Sequence, residues 1–398
     1  MTMFGFKEAE VAELVRAVSP GALDRGQIET RFAHAVWSGL VEPGDGVAGL
    51  LVAQHGAAAA LAAVIERRPA SRLASDLLSE GDAQLALDRW MPRLSPPTML
   101  QWLRQAARYG VRLNIPGDAC WPQGFEGLAH NAPLALWTRG REEALVALSR
   151  SIALVGARAA TGYGEHITME ASAGLVDRGF AVVSGAAYGI DGMAHRAALA
   201  SRGLTIAFLA GGVDRFYPSG HDALLTKIVE QGLVASELPC GSAPTRWRFL
   251  QRNRLIAAAS QATIVVEAGW RSGSLNTASH AGQLGRPVGA VPGPVTSAAS
   301  AGCHRLIRDH RAEIVTTAEE MANLVGEIAP DPVDERPRDN SRVLDALSTR
   351  APRTPDNIAA RSGLTVAQTQ SELGRLELDG VVREGERGWT KRGAPRET

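Results

Sequence analysis

The run Ser151-Ile152-Ala153-Leu154-Val155-Gly156-Ala157-Arg158 sets the reading of the whole chain. Four apolar residues, 152–155, end on a glycine, and a stretch with helical spacing begins just beyond Thr161, Gly162 and Gly164. That pattern describes a buried strand that turns tightly into a helix. The same rhythm then repeats. Short apolar runs at 181–183, 205–209, 233–235, 263–266 and 288–291 are separated by helical stretches of about ten to fifteen residues. Such alternation predicts an α/β fold built on a doubly wound, mostly parallel sheet. A further short strand is expected at 313–315, before a closing helix near 318–325.

In an open parallel sheet, ligands bind beyond the carboxyl ends of the strands. The residues after each run therefore carry the functional reading. The first strand leads into Gly156-Ala157-Arg158, and the second into Ser184 and Gly185, then Gly189-Ile190-Asp191. The third leads into Gly211 and Gly212, followed by Tyr217-Pro218, and the fourth reaches Glu237. The fifth is followed by Glu267-Ala268-Gly269, Arg271-Ser272-Gly273-Ser274 and Thr277, and the sixth by Pro292-Gly293-Pro294. Glycine lets a phosphate approach the backbone closely. Helices opening at Gly189, Ser274 and Gly302 aim their positive dipole ends at the same rim. Polar, glycine-rich loops converging on one rim predict an anion site. No loop reads GxGxxG and none reads GxxxxGK[ST], which argues against a standard dinucleotide site and a P-loop ATPase. No cofactor is expected.

Asp191 and His195 are four residues apart on one face of an expected helix. They read either as an acid–base pair or as an orienting hydrogen bond beneath the loop, and the second reading is favoured. Glu267 reads either as a general base or as a holder of loop N–H groups or of a nearby arginine; again the second is favoured. No paired nucleophile and base is recognisable, so no catalytic residue is assigned.

After Glu237 comes Arg246-Trp247-Arg248-Phe249-Leu250-Gln251-Arg252-Asn253-Arg254, with no Asp or Glu before Glu267. Arginine holds phosphate through paired donors, and aromatic rings stack on unpaired bases. The combination points to single-stranded nucleic acid. The bland alternative is a helix start with solvated arginines and inward-packed aromatics. Phe249 is the candidate stacker; one of the two aromatics is expected to anchor the loop, and Trp247 is the control.

A chain of 398 residues predicts two to four domains. With 45% hydrophobic and 21% charged residues it can build a large core. The formal net charge is zero, so affinity for nucleic acid has to come from a local patch. Lysine occurs only at Lys7, Lys227 and Lys391; every other basic residue is arginine. Cys120, Cys240 and Cys303 lack metal-ligand spacing and read as reduced thiols. No signal peptide is recognisable, and the apolar run at 57–65 is too short to span a bilayer. A soluble cytoplasmic protein with no membrane partner is expected.

On either side of the sheet the chain changes character. Residues 1–30 are expected to form a loose arm. Residues 30–90 have helical spacing, broken by Glu42-Pro43-Gly44-Asp45-Gly46. That turn reads as a helix-hairpin-helix phosphate loop or, preferably, as a plain helix–helix connection. Pro92, Pro96 and Pro97 mark a boundary. A helix at 98–109 and strands at 111–115 and 134–137 follow. A Pro- and acid-rich linker covers 326–339, and the remainder reads as three helices and a hairpin, a winged helix.

The motifs Val155-Gly156-Ala157-Arg158, Ser184-Gly185, Gly189-Ile190-Asp191, Ala194-His195, Tyr217-Pro218, Arg252-Asn253-Arg254, Glu267-Ala268, Ser272-Gly273-Ser274 and Val291-Pro292-Gly293 occur in one fixed order. In that order the chain resembles the DprA/Smf family of bacterial DNA-processing proteins from about residue 114 to residue 325. The winged helix fits the family's C-terminal module, and the N-terminal helices resemble its sterile-alpha-motif-like domain. The resemblance implies a non-enzymatic single-strand DNA binder that dimerises through its Rossmann-like domain, protects incoming DNA during natural transformation and loads a RecA-type recombinase. By position it implies phosphate contacts from Arg158 and Arg246 and a base stacked on Phe249, with Arg252 and Arg254 bordering the same pocket. The chain departs from the family pattern at Tyr188, where a basic residue is usual. It departs again in the third winged-helix segment, where Glu372, Glu377 and Asp379 face only Arg375. That segment fits a protein partner better than a DNA groove.

The expected architecture is an N-terminal helical domain at 1–97, a Rossmann-like DNA-binding domain at 98–328, a linker at 329–340 and a winged helix at 341–398. Expected phosphate contacts are Arg158, Ser184, Gly185, Gly189, Gly211, Gly212, Arg246, Arg248, Arg252, Asn253, Arg254, Ser272, Gly273, Ser274 and Thr277. Phe249 is the stacker, and Asp191, His195 and Glu267 orient the loops. The rival reading is a phosphoribohydrolase-like enzyme of the lysine-decarboxylase-like fold. Its PGGxGTxxE signature is replaced here by Glu267-Ala268-Gly269-Trp270-Arg271-Ser272-Gly273. A transcription regulator acting through the winged helix is a third reading, disfavoured by the acidic segment.

Overall fold

The computed structural model describes residues 2–310, 312–326, 338–349, 351–385 and 387–392. The chain divides into two compact units, Met1–Glu327 and Ile328–Thr398.

Residues 1–30 are not a loose arm. The short antiparallel strands β1 (Thr2–Met3) and β2 (Phe6–Lys7) lead into helix α1 (Glu8–Val18). Val11, Val15 and Val18 of α1 are buried at helical spacing. The next helix, α2 (Arg25–Leu40), starts with a reciprocal capping box. Asp24 Oδ1 accepts from Gln27 N at 2.8 Å, and Gln27 Oε1 accepts from Asp24 N at 3.0 Å. Four more helices complete the layer: α3 (Gly46–His55), α4 (Ala57–Ile65), α5 (Glu80–Trp90) and α6 (Pro96–Arg108). The turn at 42–46 is a plain connection. Asp45 Oδ1 accepts from Val47 N and Ala48 N at 3.1 and 3.2 Å, so the N–H groups a phosphate would need are already taken.

The apolar runs become the centre of a nine-stranded sheet. Its strands are β3 (Arg112–Asn114), β4 (Leu136–Gly140), β5 (Ser151–Gly156), β6 (Ala181–Ser184), β7 (Thr205–Phe208), β8 (Leu233–Ser236), β9 (Ala262–Glu267), β10 (Val288–Ala290) and β11 (Glu313–Ile314). The order across the sheet is β11-β10-β9-β5-β6-β7-β8-β4-β3. Pairing is parallel from β11 to β8, whereas β4 and β3 add on antiparallel. Between strands run the helices α7 (Glu143–Val146), α8 (Gly162–Asp177), α9 (Ile190–Ala200), α10 (Asp222–Gln231), α11 (Arg246–Ala259), α12 (Ser274–Gln283), α13 (Ala301–His310) and α14 (Ala318–Asn323). Successive strand residues point to opposite faces. Accordingly Ile152 and Leu154 pack with α8, α9 and α14, while Ala153 and Val155 pack with α11, α12 and α13. Both faces are covered, which is why these strands read as unbroken apolar runs.

The helical layer packs on the antiparallel edge. Trp37, Leu103 and Trp137 lie in one core, and Trp137 Nε1 donates to Ser38 Oγ at 3.0 Å. Arg31 pairs with Asp118, and His34 Nδ1 lies 2.5 Å from Leu134 O. Burial holds the His34 pKa down at about 4, so the ring stays neutral. Helix α6 packs on α1 and α2, which carries the helical layer past residue 97 to Arg108.

The second unit comprises α15 (Arg338–Ala346), α16 (Pro355–Ser362), α17 (Val366–Leu378), β12 (Val382–Gly385) and β13 (Gly388–Lys391). Its core is built from Val343, Leu347, Ile358, Leu373, Leu376 and Trp389. Thr354 caps α16, and Thr365 forms a capping box with Gln368. Helix α15 begins at 338, three residues before the expected boundary; positions 329–337 of the expected linker lie outside the described residues. Glu372 is buried beside Arg375 rather than facing outward.

Candidate nucleic-acid interface

After β8 the chain crosses back to place β9 beside β5, so the strand order reverses between those two strands. Their carboxyl ends diverge there into a crevice. It is an open cleft of about 870 Å³. One wall is the loop after β5, Gly156 to Arg158. The opposite wall is the loop after β9, Gly269 to Ser274. The first two turns of α11 close the third side.

Charge in the cleft is one-sided. Arg158, Arg246 and Arg271 are exposed on it, and Arg252 forms the floor. Asp191 is the only acidic residue lining it among the described residues. Its Oδ2 accepts from Gly185 N and Ala187 N at 3.2 and 3.4 Å. Burial pushes the Asp191 carboxyl pKa up, opposed by the Arg252 charge and these N–H groups. Arg252 donates from Nη1 to Gly185 O at 2.6 Å and to Phe208 O at 2.5 Å. Burial lowers the Arg252 pKa to about 10, which leaves it charged at neutral pH.

Phe249 is half-buried at the centre of this charge. The Arg158 guanidinium carbon lies 5.2 Å from its ring centroid, that of Arg252 lies 5.7 Å away, and the Tyr217 ring is 5.6 Å away. These are cation–π distances. The ring lines the cleft, with both guanidinium groups placed over it.

Of the three residues expected to orient the loops, Asp191 and Glu267 hydrogen-bond to loop groups, whereas His195 bonds Thr205 on β7. Glu267 accepts from Thr161 N at 2.8 Å and Thr161 Oγ1 at 2.7 Å, which pins the β5–α8 loop. Gly189, at φ +74°, sits so close to that loop that a Cβ would lie 2.2 Å from Ala157 O. Asn253 Nδ2 reaches Gly273 O at 3.4 Å and Asn276 Oδ1 at 3.2 Å, holding the loop that carries Ser272, Gly273 and Ser274. Thr277 lines the same wall one turn into α12. His195 is fully buried and shares a 2.6 Å hydrogen bond with Thr205 Oγ1, not with Asp191. Burial drives its pKa to about 3. Asp191 and His195 are therefore not an acid–base pair.

Several expected phosphate contacts are turned away from the cleft. Ser184 is wholly buried and donates to Leu154 O at 2.6 Å, bracing β6 against β5. Gly185 lies beneath the Arg252 guanidinium, where a Cβ would approach it to 2.4 Å. Gly211 and Gly212 pack on the loop at 239–244, and Gly212 N donates to Ser242 O at 2.9 Å. Arg248 is clamped by Glu42, from Nε at 3.0 Å and Nη2 at 2.7 Å. Arg254 is 3% exposed and pairs through two hydrogen bonds of 2.8 and 2.7 Å with Glu237. Trp247 is 55% exposed and does not line the cleft. Tyr188 leans edge-on against His221 at 4.8 Å, outside the cleft. Two residues were absent from the expected set, Trp270 and Arg271. The signal for them was their place inside the loop after β9. Trp270 is 52% exposed, with the Arg305 guanidinium 5.1 Å from its ring. Among the described residues no cluster of His, Cys, Asp or Glu is arranged to hold a metal ion.

The family model described as DNA recombination-mediator protein A matches residues 112–326, and that of the DprA winged helix domain matches 327–386. The chain belongs to the DprA/Smf family. A putative DNA processing protein DprA from Mycobacterium tuberculosis is 49% identical over 295 residues, 69% of this chain and 75% of the relative. Protein Smf of Escherichia coli K12 is 34% identical over 304 residues, 73% of this chain and 79% of that protein. The X-ray structure of DNA processing protein A from Streptococcus pneumoniae aligns with a TM-score of 0.59 at 30% identity, over 73% of this chain and 96% of that one. The first matched span of the DprA/Smf family contains the whole cleft, whereas the layer from β1 to α6 lies outside both spans.

Proposed function

We propose that the cleft binds single-stranded DNA without reading its sequence. The observation that carries this is Phe249, set among Arg158, Arg252 and Tyr217 with Arg246 beside it in the cleft. A stacking face framed by phosphate-binding cations suits an unpaired base better than a paired one. The phosphate set is Arg158 on one wall, Arg246 on α11, and Arg271, Ser272, Gly273 and Ser274 on the opposite wall; Arg252 and Asn253 support them from below. The protein acts by binding rather than by chemistry. Asp191, which lines the cleft, and Glu267, at the end of β9, are committed to loop hydrogen bonds, and His195 is neutral and enclosed.

The family description, a recombination mediator, supports a role in handing the strand to a RecA-type recombinase during transformation, with protection of the strand until then. A homodimer through the Rossmann-like unit fits the edge strand β11, where Ile314 is 58% exposed. A cytoplasmic location is in keeping with DNA as the ligand; among the described residues no single helix is long and apolar enough to cross a membrane. Glu377, Leu378 and Asp379 are exposed at the end of α17, an acidic and apolar surface that suits a protein partner better than a DNA groove.

Arg158→Ala tests the site. Loss of a charge-assisted phosphate contact is expected to weaken single-strand binding by about 1.5–3 kcal/mol. The melting temperature should stay near that of the wild type, because the side chain is exposed. Early melting with unchanged affinity would make Arg158 a structural residue instead.

A further inference from the structure

A second hollow, about 510 Å³ in volume, lies where α6 meets the loops that follow β7 and β8. Gln101, Trp102, Gln105 and Tyr109 come from α6 and its end, and Arg215 and Ser242 from the two loops. The hollow neighbours the cleft. A small gap of about 10 Å³ lies between them, bordered by Tyr217, Pro244 and Phe249, which also line the cleft, and by Arg215, which also lines the hollow. Tyr217 is 51% exposed on this border.

We propose that a bound strand leaves the cleft over Tyr217 and places a further nucleotide in this hollow. The proposal rests on the single-strand reading of the cleft. Three features suit a nucleotide. The Gln101 and Gln105 amides both donate and accept, as base edges require. Tyr109, 38% exposed, adds an aromatic ring, with the Arg108 and Arg139 guanidinium carbons each 5.9 Å from its centroid. Cations outnumber carboxylates here. Exposed Arg215 and the two arginines at Tyr109 stand against one lining carboxylate among the described residues, Asp214, whose oxygens accept from Gly241 N at 2.9 and 3.1 Å. The helical layer thus becomes part of the DNA path through α6. Its turn at 42–46 plays a different part, holding Arg248.

The test compares fluorescein-labelled oligothymidylates of about 4 and about 16 nucleotides, the two ends of the usual range for single-strand sites. Each is titrated against the wild type and against the double variant Gln101→Ala, Arg215→Ala; both replaced side chains are exposed. The short oligomer should bind both proteins alike, because the cleft alone holds it. The long oligomer should bind the variant roughly tenfold more weakly. Equal affinity of both proteins for the long oligomer overturns the proposal. So does an equal loss for both oligomers, which would place Arg215 in the cleft itself. If the wild type binds neither oligomer, the single-strand reading fails and takes this inference with it.

Discussion

Arg254→Ala is expected to destabilise the first unit by about 3–5 kcal/mol, because it leaves the Glu237 carboxylate buried without its partner. Arg254 joins three separate pieces of chain. It bonds Glu237 just beyond β8, Asn131 O at 3.1 Å in the segment before β4, and Gln251 O at 3.2 Å on its own helix. The turn at Gly44 fits against the same side chain, where a Cβ would lie 3.1 Å from Arg254 Nε. In denaturant the variant should unfold at a lower midpoint. The protein still folded should bind single-stranded DNA like the wild type, because this guanidinium does not line the cleft. Replacing the pair together, Arg254→Met with Glu237→Gln, should recover much of the loss, since no uncompensated charge then remains inside. A stable Arg254→Ala that binds DNA weakly would return Arg254 to the phosphate set.

Phe249→Ala is expected to do the reverse. Removing the stacking face should lower single-strand affinity by about 1–3 kcal/mol. A fully enclosed phenylalanine would cost about 3–5 kcal/mol of stability on truncation, but Phe249 is only half-buried, at the cleft surface. The stability loss should therefore be the smaller of its two effects. Trp247→Ala is the control. Its ring is 55% exposed and does not line the cleft, so neither stability nor affinity should change much. A thermal melt and a binding titration on each variant separate the cases. A destabilised Phe249→Ala whose folded fraction binds at wild-type strength would make this ring core.

The central strands were legible because they are covered on both faces. A run such as 152–155 has no polar residue to confuse its reading, and the switch of strand order places the cleft where the loop glycines lie. The antiparallel setting of β4 was not legible, because it depends on pairing with β8 nearly a hundred residues later. Helix α1 was overlooked although Val11, Val15 and Val18 carry its period. The arginines differ only through their tertiary partners. In sequence Arg246, Arg248, Arg252 and Arg254 are equivalent. In the fold one opens to solvent, one is clamped by Glu42, one is the floor and one is a buried ion pair. Their partners come from remote segments, so no local pattern distinguishes them. Ser184 misled for a similar reason: a serine at a strand end serves a neighbouring strand as readily as a ligand.

Stacking on Phe249 requires strand selectivity. The most direct measurement is a titration of one labelled sequence, single-stranded and then annealed to its complement, over a series of salt concentrations. The account predicts clear preference for the single strand at moderate salt, with log K falling against log salt by roughly 0.7 per phosphate engaged. Equal affinity for the two forms at moderate salt would contradict it, since phosphate contacts alone would then explain binding and Phe249 would have no base to stack on.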